Sequence, residues 1–201
     1  HNGWNLSTPW YKEPLSAGGG TFLDNGSHAL DLLRLFMGEL VDCSGMIDTA
    51  LWTEIPLEDN AIGVFKDARG RMGTVHASWT EWGGYFHMEV YGSRGFLRIG
   101  CRKSASVLEW GSAEGKTSLR DFSHLPPDSC AREFAAFLDA LAQGRAHKPS
   151  GHDGLRCVRM AYGVYESAKT RAHVDLWTPA DRELQERVSS WEDSNASPGS
   201  T

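Results

Sequence analysis

Between about Val41 and Phe122 the sequence runs in short alternating segments separated by turn residues, and this stretch limits the fold more than any other feature. Asp67-Ala68-Arg69-Gly70 reads as a hairpin turn joining a strand at 61–65 to one at 72–78. Gly92-Ser93-Arg94-Gly95 reads as another, joining 86–91 to 96–99, and 107–110 with 116–120 supply a further pair. Tight turns of this kind join antiparallel neighbours, because a parallel pair needs a long crossover. The expectation is an antiparallel meander of about six strands.

Helical patterns flank the meander. Residues 3–17, rich in Trp, Pro and Ser, read as an ordered loop. Gly18-Gly19-Gly20 then leads into a helix whose Phe22, Gly26, Ala29, Leu33 and Phe36 fall on one face, with Gly38 where a helix C-terminal glycine belongs. Pro126-Pro127-Asp128-Ser129 starts a second helix with Phe134, Phe137, Leu138 and Leu141 as its apolar stripe and Gly144 at its end. A third begins near 151–154 with Asp153 as candidate N-cap and a stripe of Leu155, Val158, Tyr162 and Tyr165. A short strand at 173–176 follows. The fold class expected is α+β: an open, mostly antiparallel β-sheet with helices on one face. Residues 1–176 form this domain, and 177–201 form a polar helix, started by Thr178-Pro179, and a disordered tail.

Composition narrows the function classes. A net charge of -6 argues against nucleic acid or an anionic membrane as partner. No run is long and apolar enough to span a bilayer. Cys43, Cys101, Cys130 and Cys157 form no CxxC pair, so they read as thiols in a reducing compartment, which points to the cytoplasm. The opening His1-Asn2-Gly3-Trp4 has no initiator Met and suits a piece of a longer protein.

The residues that could carry chemistry lie in Gly18–Leu33. Asp24 and His28 are four apart and face the same way if the helix starts near Gly20, with Asp31 next along that face. A carboxylate beside an imidazole can orient the ring, and the imidazole can exchange a proton with an alcohol oxygen. Gly26 would thin the helix between the two side chains. The same spacing also serves a helix-capping Asp and a half-buried polar His facing the sheet. His76, His87 and His152 stand apart with no HxH or HxxxH spacing, so no metal site is expected. Gly111–Lys116 imitates a phosphate loop but lies between strands, and no Gly-x-Gly-x-x-Gly turn follows a strand anywhere, so a dinucleotide-binding Rossmann domain is absent. Trp52, Trp79 and Trp82 fall on or near the sheet, where an uncovered face would pack on another chain.

The string Gly18-Gly19-Gly20-Thr21-Phe22-Leu23-Asp24-Asn25-Gly26-Ser27-His28-Ala29-Leu30-Asp31 closely resembles the opening helix of the C-terminal α/β domain in the glucose–fructose oxidoreductase / inositol dehydrogenase (Gfo/Idh/MocA-type) family. Glu58-Asp59-Asn60-Ala61, Ser78-Trp79, Tyr91-Gly92-Ser93-Arg94-Gly95-Phe96-Leu97, Glu133-Phe134 and Gly151-x-Asp153-Gly154 resemble its later segments in order, from about Trp10 to Leu176. The resemblance implies a two-domain enzyme whose other half, a Rossmann domain, binds NAD or NADP and supplies a catalytic lysine with no counterpart here. His28 would be the proton acceptor for the alcohol being oxidised, and Asp24 would position substrate and tune the ring. Trp82 and Tyr85 would contact a sugar or polyol substrate. It implies a homo-oligomer through the open sheet, and a fragment inactive alone. Two other readings stay open: a non-catalytic assembly or sugar-binding module of the same fold, and an NAD-assisted glycosidase.

Overall fold

The computed structural model describes residues 9–178 apart from 103, 104 and 127, together with 181, 183, 187 and 190. The expected tail at 192–201 lies outside the described residues, as does most of the polar helix expected after Thr178.

A 3₁₀ turn, Pro9–Lys12, and a single helical turn, α1 (Pro14–Ala17), lead into α2 (Thr21–Met37). Seven strands follow: β1 (Leu40–Asp48), β2 (Asn60–Asp67), β3 (Met72–Ser78), β4 (Tyr85–Gly92), β5 (Gly95–Arg102), β6 (Ala105–Ser112) and β7 (Thr117–Asp121). Then come α3 (Ser129–Ala142), α4 (Gly151–Thr170) and the short β8 (Val174–Asp175). The hairpins fall where the turn residues placed them. The strands, however, form two four-stranded sheets, ordered β3-β2-β1-β8 and β4-β5-β6-β7. All their pairings are antiparallel. The break falls between β3 and β4, where residues 79–84 leave the first sheet.

The first sheet holds the core. Cys43, Ala61, Phe65, Val75 and Ala77 line its covered face and meet Phe22 and Leu30 of α2 and Met160, Ala161 and Val164 of α4. Alternation along β2 buries every second residue, which puts Ile62, Val64 and Lys66 on the outer face. Helix and sheet approach closely: a Cβ at Gly45 would stand 2.5 Å from Val164 Cγ1. Gly26 likewise faces Phe22 and Ala77, so it thins α2 against β3, not between Asp24 and His28 as expected.

The second sheet is a single layer. Neither cluster of buried apolar side chains draws on its strands. Register places Met88, Ile99 and Leu108 in one row and Val90, Leu97 and Trp110 in the next, all on one face. The other face carries the row Glu89–Arg98–Glu109, with Arg98 3.2 Å from Glu89 and 3.5 Å from Glu109.

Two helices differ from expectation. The α3 stripe is not core: Phe134 and Leu141 are 63% and 67% exposed, and only Ala140 is buried. In α4 the core face is Cys157, Met160, Ala161 and Val164, whereas Leu155, Val158 and Tyr162 face outward. The helix is apolar on two sides, and the smaller residues let it settle nearer the sheet. Its N-cap is Ser150, with Asp153 at the third position completing a capping box. Among the described residues no helix is long and apolar enough to cross a membrane.

Candidate active site

The head of α2 carries Asp24 in its first turn, and one turn on lies His28. Asp24 is half-buried and His28 exposed. The Asp24 N–H closes the first intrahelical bond to the Gly20 carbonyl at 3.0 Å, and the Ser27 hydroxyl donates to the Asp24 carbonyl at 2.7 Å. The Asp24 carboxylate accepts from the Tyr11 hydroxyl, Oδ2 lying 3.3 Å away. Burial, then the charge of Asp24 and its hydrogen bond, push the Tyr11 phenol up, so it stays a donor. Asp31 does not join this pair; its Oδ1 lies 3.9 Å from the Cys157 thiol on α4. Burial, then the Asp31 charge, raises that thiol.

Tyr11 is held by rings. It stacks on Trp10 with centroids 3.9 Å apart and meets the edge of Trp79 at 5.2 Å. Trp79 is 1% exposed and forms a second, small core with Ile55, against which Tyr11, Trp52 and Leu57 pack. The Trp52 indole N–H donates to the Trp79 carbonyl at 3.1 Å, and the Trp52 ring lies 6.1 Å from that of Trp82. A run of aromatic contacts therefore joins Trp82 to the neighbourhood of Asp24, and Trp82 remains 53% exposed. Tyr85 stands elsewhere: it opens β4 and lies beneath the Arg102 guanidinium, 5.0 Å from ring centroid to carbon.

No side chain of the helix itself caps α2, whose N-cap is Gly20. The cap comes from Glu58. Its Oε2 accepts from Gly20 N–H and its Oε1 from Phe22 N–H, both at 2.9 Å, while Thr21 N–H donates to its carbonyl at 3.0 Å. The Tyr165 hydroxyl of α4 donates to Oε1 at 2.8 Å and accepts from Leu23 N–H at 3.2 Å. Burial, then the Glu58 charge, holds the Tyr165 phenol well above its usual range. The neighbouring Asp59 accepts from the backbone N–H groups of Ala50, Leu51 and Trp52 at 2.7 to 2.8 Å. Tyr11, Glu58 and Asp59 did not emerge from sequence reasoning as site residues. The signal available was the pair of acidic residues directly before an apolar strand, a place where an unpartnered charge would be costly.

Among the described residues no three His, Cys, Asp or Glu side chains come together as metal ligands. His76 instead shares a hydrogen bond with Asn60 Oδ1 at 2.7 Å, and burial lowers its pKa. A groove of about 530 Å³ lies along α3 and the start of α4, lined by Cys130, Glu133, Phe134, Phe137, His147 and Pro149 among others, and by neither Asp24 nor His28. Every strand pairing among the described residues is antiparallel, so they contain no parallel strand–helix–strand unit of the kind that binds a dinucleotide.

Residues 1–98 match the GFO/IDH/MocA C-terminal domain. The chain is 29% identical over 167 residues to the myo-inositol 2-dehydrogenase of Thermotoga maritima, covering 79% of this chain and 49% of that protein. It is 24% identical over 166 residues to the inositol 2-dehydrogenase of Rhizobium meliloti, covering 79% and 50%. The structure of a levoglucosan dehydrogenase in complex with NADH superposes with a TM-score of 0.74 at 20% identity, covering 88% of this chain and 56% of that one. The chain thus spans about half the length of the curated relatives it matches. Residues 1–98 carry the match to the GFO/IDH/MocA C-terminal domain, and the α+β architecture of the described residues is shared with the levoglucosan dehydrogenase structure.

Proposed function

We propose that this chain is the substrate half of an NAD- or NADP-dependent oxidoreductase acting on a sugar, polyol or related hydroxy compound. The observation that carries the reading is the head of α2, where Asp24, with Tyr11 on one oxygen, stands one turn from an exposed His28 beside an aromatic wall. Oxidation of an alcohol requires removal of the hydroxyl proton and of the hydrogen on carbon. His28 takes the proton as general base. Asp24 uses its second oxygen, Oδ1, to hold a substrate hydroxyl and to favour the imidazolium that forms. Trp82 covers the ring of the substrate with an apolar face, as indole does for the C–H face of a sugar. Tyr85 contributes from β4, next to Arg102. A nicotinamide, when bound, would accept the hydride; the family resemblance assigns it and the lysine that would complete the acid/base set to the half of the relatives' length that this chain does not span, so the chain alone is expected to be inactive.

The uncovered face of the second sheet supports a homo-oligomer, since Met88, Val90, Leu97, Ile99, Leu108 and Trp110 would otherwise meet water. Four free thiols agree with a cytoplasmic setting.

The test is cofactor reduction by the full-length protein with NAD+ and NADP+ against myo-inositol, levoglucosan and simple hexoses. The expected result is reduction with at least one of them, by a species sedimenting above the monomer mass, and none by the 201-residue chain. Turnover by the chain alone, or aryl glycoside cleavage without net oxidation by the full-length protein, would contradict the proposal.

A further inference from the structure

Glu58 and Asp59 are consecutive, both are buried, at 7% and 0% exposure, and their carboxylates serve different segments. We infer that this dipeptide positions the candidate active site, Glu58 setting where the Asp24–His28 helix begins and Asp59 setting the Trp52–Trp82 wall. The inference rests on the reading of Asp24, His28 and Trp82 given above.

The start of α2 has no cap of its own, and its first N–H groups would be orphaned without an outside acceptor. Glu58 supplies both carboxylate oxygens and its carbonyl to three successive N–H groups, at Gly20, Thr21 and Phe22. A carboxylate at a helix N-terminus is also favoured by the helix dipole. The glycines are shaped by the same contact: a Cβ at Gly20 would stand 2.0 Å from the Glu58 carbonyl oxygen, and one at Gly19 would stand 2.5 Å from the Tyr165 hydroxyl. Gly19 and Gly20 are therefore the other side of the Glu58–Tyr165 contact. Where Glu58 sits decides where Asp24 and His28 sit.

Asp59 acts on the opposite wall. Its two oxygens gather three successive N–H groups and turn the chain at 50–52, while its carbonyl accepts from Trp79 N–H at 2.7 Å. The turn fixes Trp52, whose indole N–H reaches the Trp79 carbonyl and whose ring meets Trp82. Glu58 therefore governs the proton-transfer side and Asp59 the side that holds the substrate ring.

The experiment is residue-resolved amide exchange and steady-state kinetics on the full-length protein carrying Glu58→Gln or Asp59→Asn. Each change keeps the shape but turns one accepting oxygen into a donor that faces an N–H. Glu58→Gln is expected to speed exchange at Gly20 and Phe22 and leave Ala50, Leu51 and Trp52 as they were; Asp59→Asn is expected to do the reverse. In turnover, Glu58→Gln lowers kcat by about tenfold with KM little changed, whereas Asp59→Asn raises the substrate KM by about fivefold with kcat little changed. Tyr165→Phe, which removes the two hydrogen bonds of that hydroxyl, and Trp52→Phe, which removes the indole N–H bond and leaves a smaller ring, reproduce the two patterns more weakly if the first pair folds poorly. Exchange released at the same amides by both changes, or at neither set, overturns the inference, as does a loss of thermal stability with kcat and KM both intact. A His28→Asn protein that turns over normally would defeat the underlying reading of the site, while the exchange pattern still decides the positioning claim.

Discussion

Tyr11 shows how much of this site depends on single side chains. Its hydroxyl donates to Asp24 at 3.3 Å, and its ring is held independently by Trp10 and Trp79. Removing the hydroxyl alone, as in Tyr11→Phe, keeps the stack and frees one carboxylate oxygen. A hydrogen bond of this kind is worth about 1 kcal/mol. The expected outcome in the full-length protein is a loss in kcat/KM of about fivefold with the melting temperature unchanged. Equal kcat/KM would mean that Tyr11 serves packing only. Asp24 and His28 were legible in the sequence because both sit on one helix, where spacing alone defines a shared face. Tyr11 and Glu58 were not, because each reaches α2 from a segment distant along the chain, 13 residues away for Tyr11 and 36 to 38 for Glu58, and Asp59 was not, because its partners are the backbone N–H groups of a loop 7 to 9 residues before it.

The elements tell the same story in a coarser form. Three hairpins were legible, two of them because Asp67–Gly70 and Gly92–Gly95 advertise their turns locally, whereas the pairing of β5 with β6 was not. The division into two sheets was not, because alternation fixes neighbours and faces but says nothing about where a meander bends away from its first half. In α4 the stripe of Leu155, Val158, Tyr162 and Tyr165 looked like core; Tyr165 does pack against it, but the buried face belongs to Cys157, Met160, Ala161 and Val164. An apolar pattern cannot rank two apolar faces. The start of α4 supports a direct measurement. Ser150 N–H donates to Asp153 Oδ2 at 2.7 Å, and Arg34 lies 3.1 Å from Oδ1. Burial opposes ionisation of Asp153, but the Ser150 bonds and Arg34 outweigh it and hold its pKa below the ordinary 3.8. A depressed carboxylate stabilises the fold above its unfolded pKa and loses that contribution as pH falls through the folded value. Asp153→Asn should therefore cost about 1 kcal/mol in urea unfolding at pH 7, with the gap to wild type narrowing below pH 4. A gap independent of pH would show that the charge is not the source.

At the scale of the molecule, two surfaces stay open. The apolar rows of the second sheet and the stripe of α3 belong to elements whose side chains have no packed layer over them among the described residues. The core of the first sheet, by contrast, is complete, and it serves chiefly to hold α2 at a fixed height above β2 and β3. Asp24 and His28 both sit on that helix, one turn apart. The role of His28 as general base is tested by the single-turnover rate of polyol oxidation by the full-length protein with His28→Asn, beside the affinity of that protein for NAD+. The expected rate is at least about a hundredfold lower, with cofactor affinity unchanged. A rate equal to wild type would contradict it.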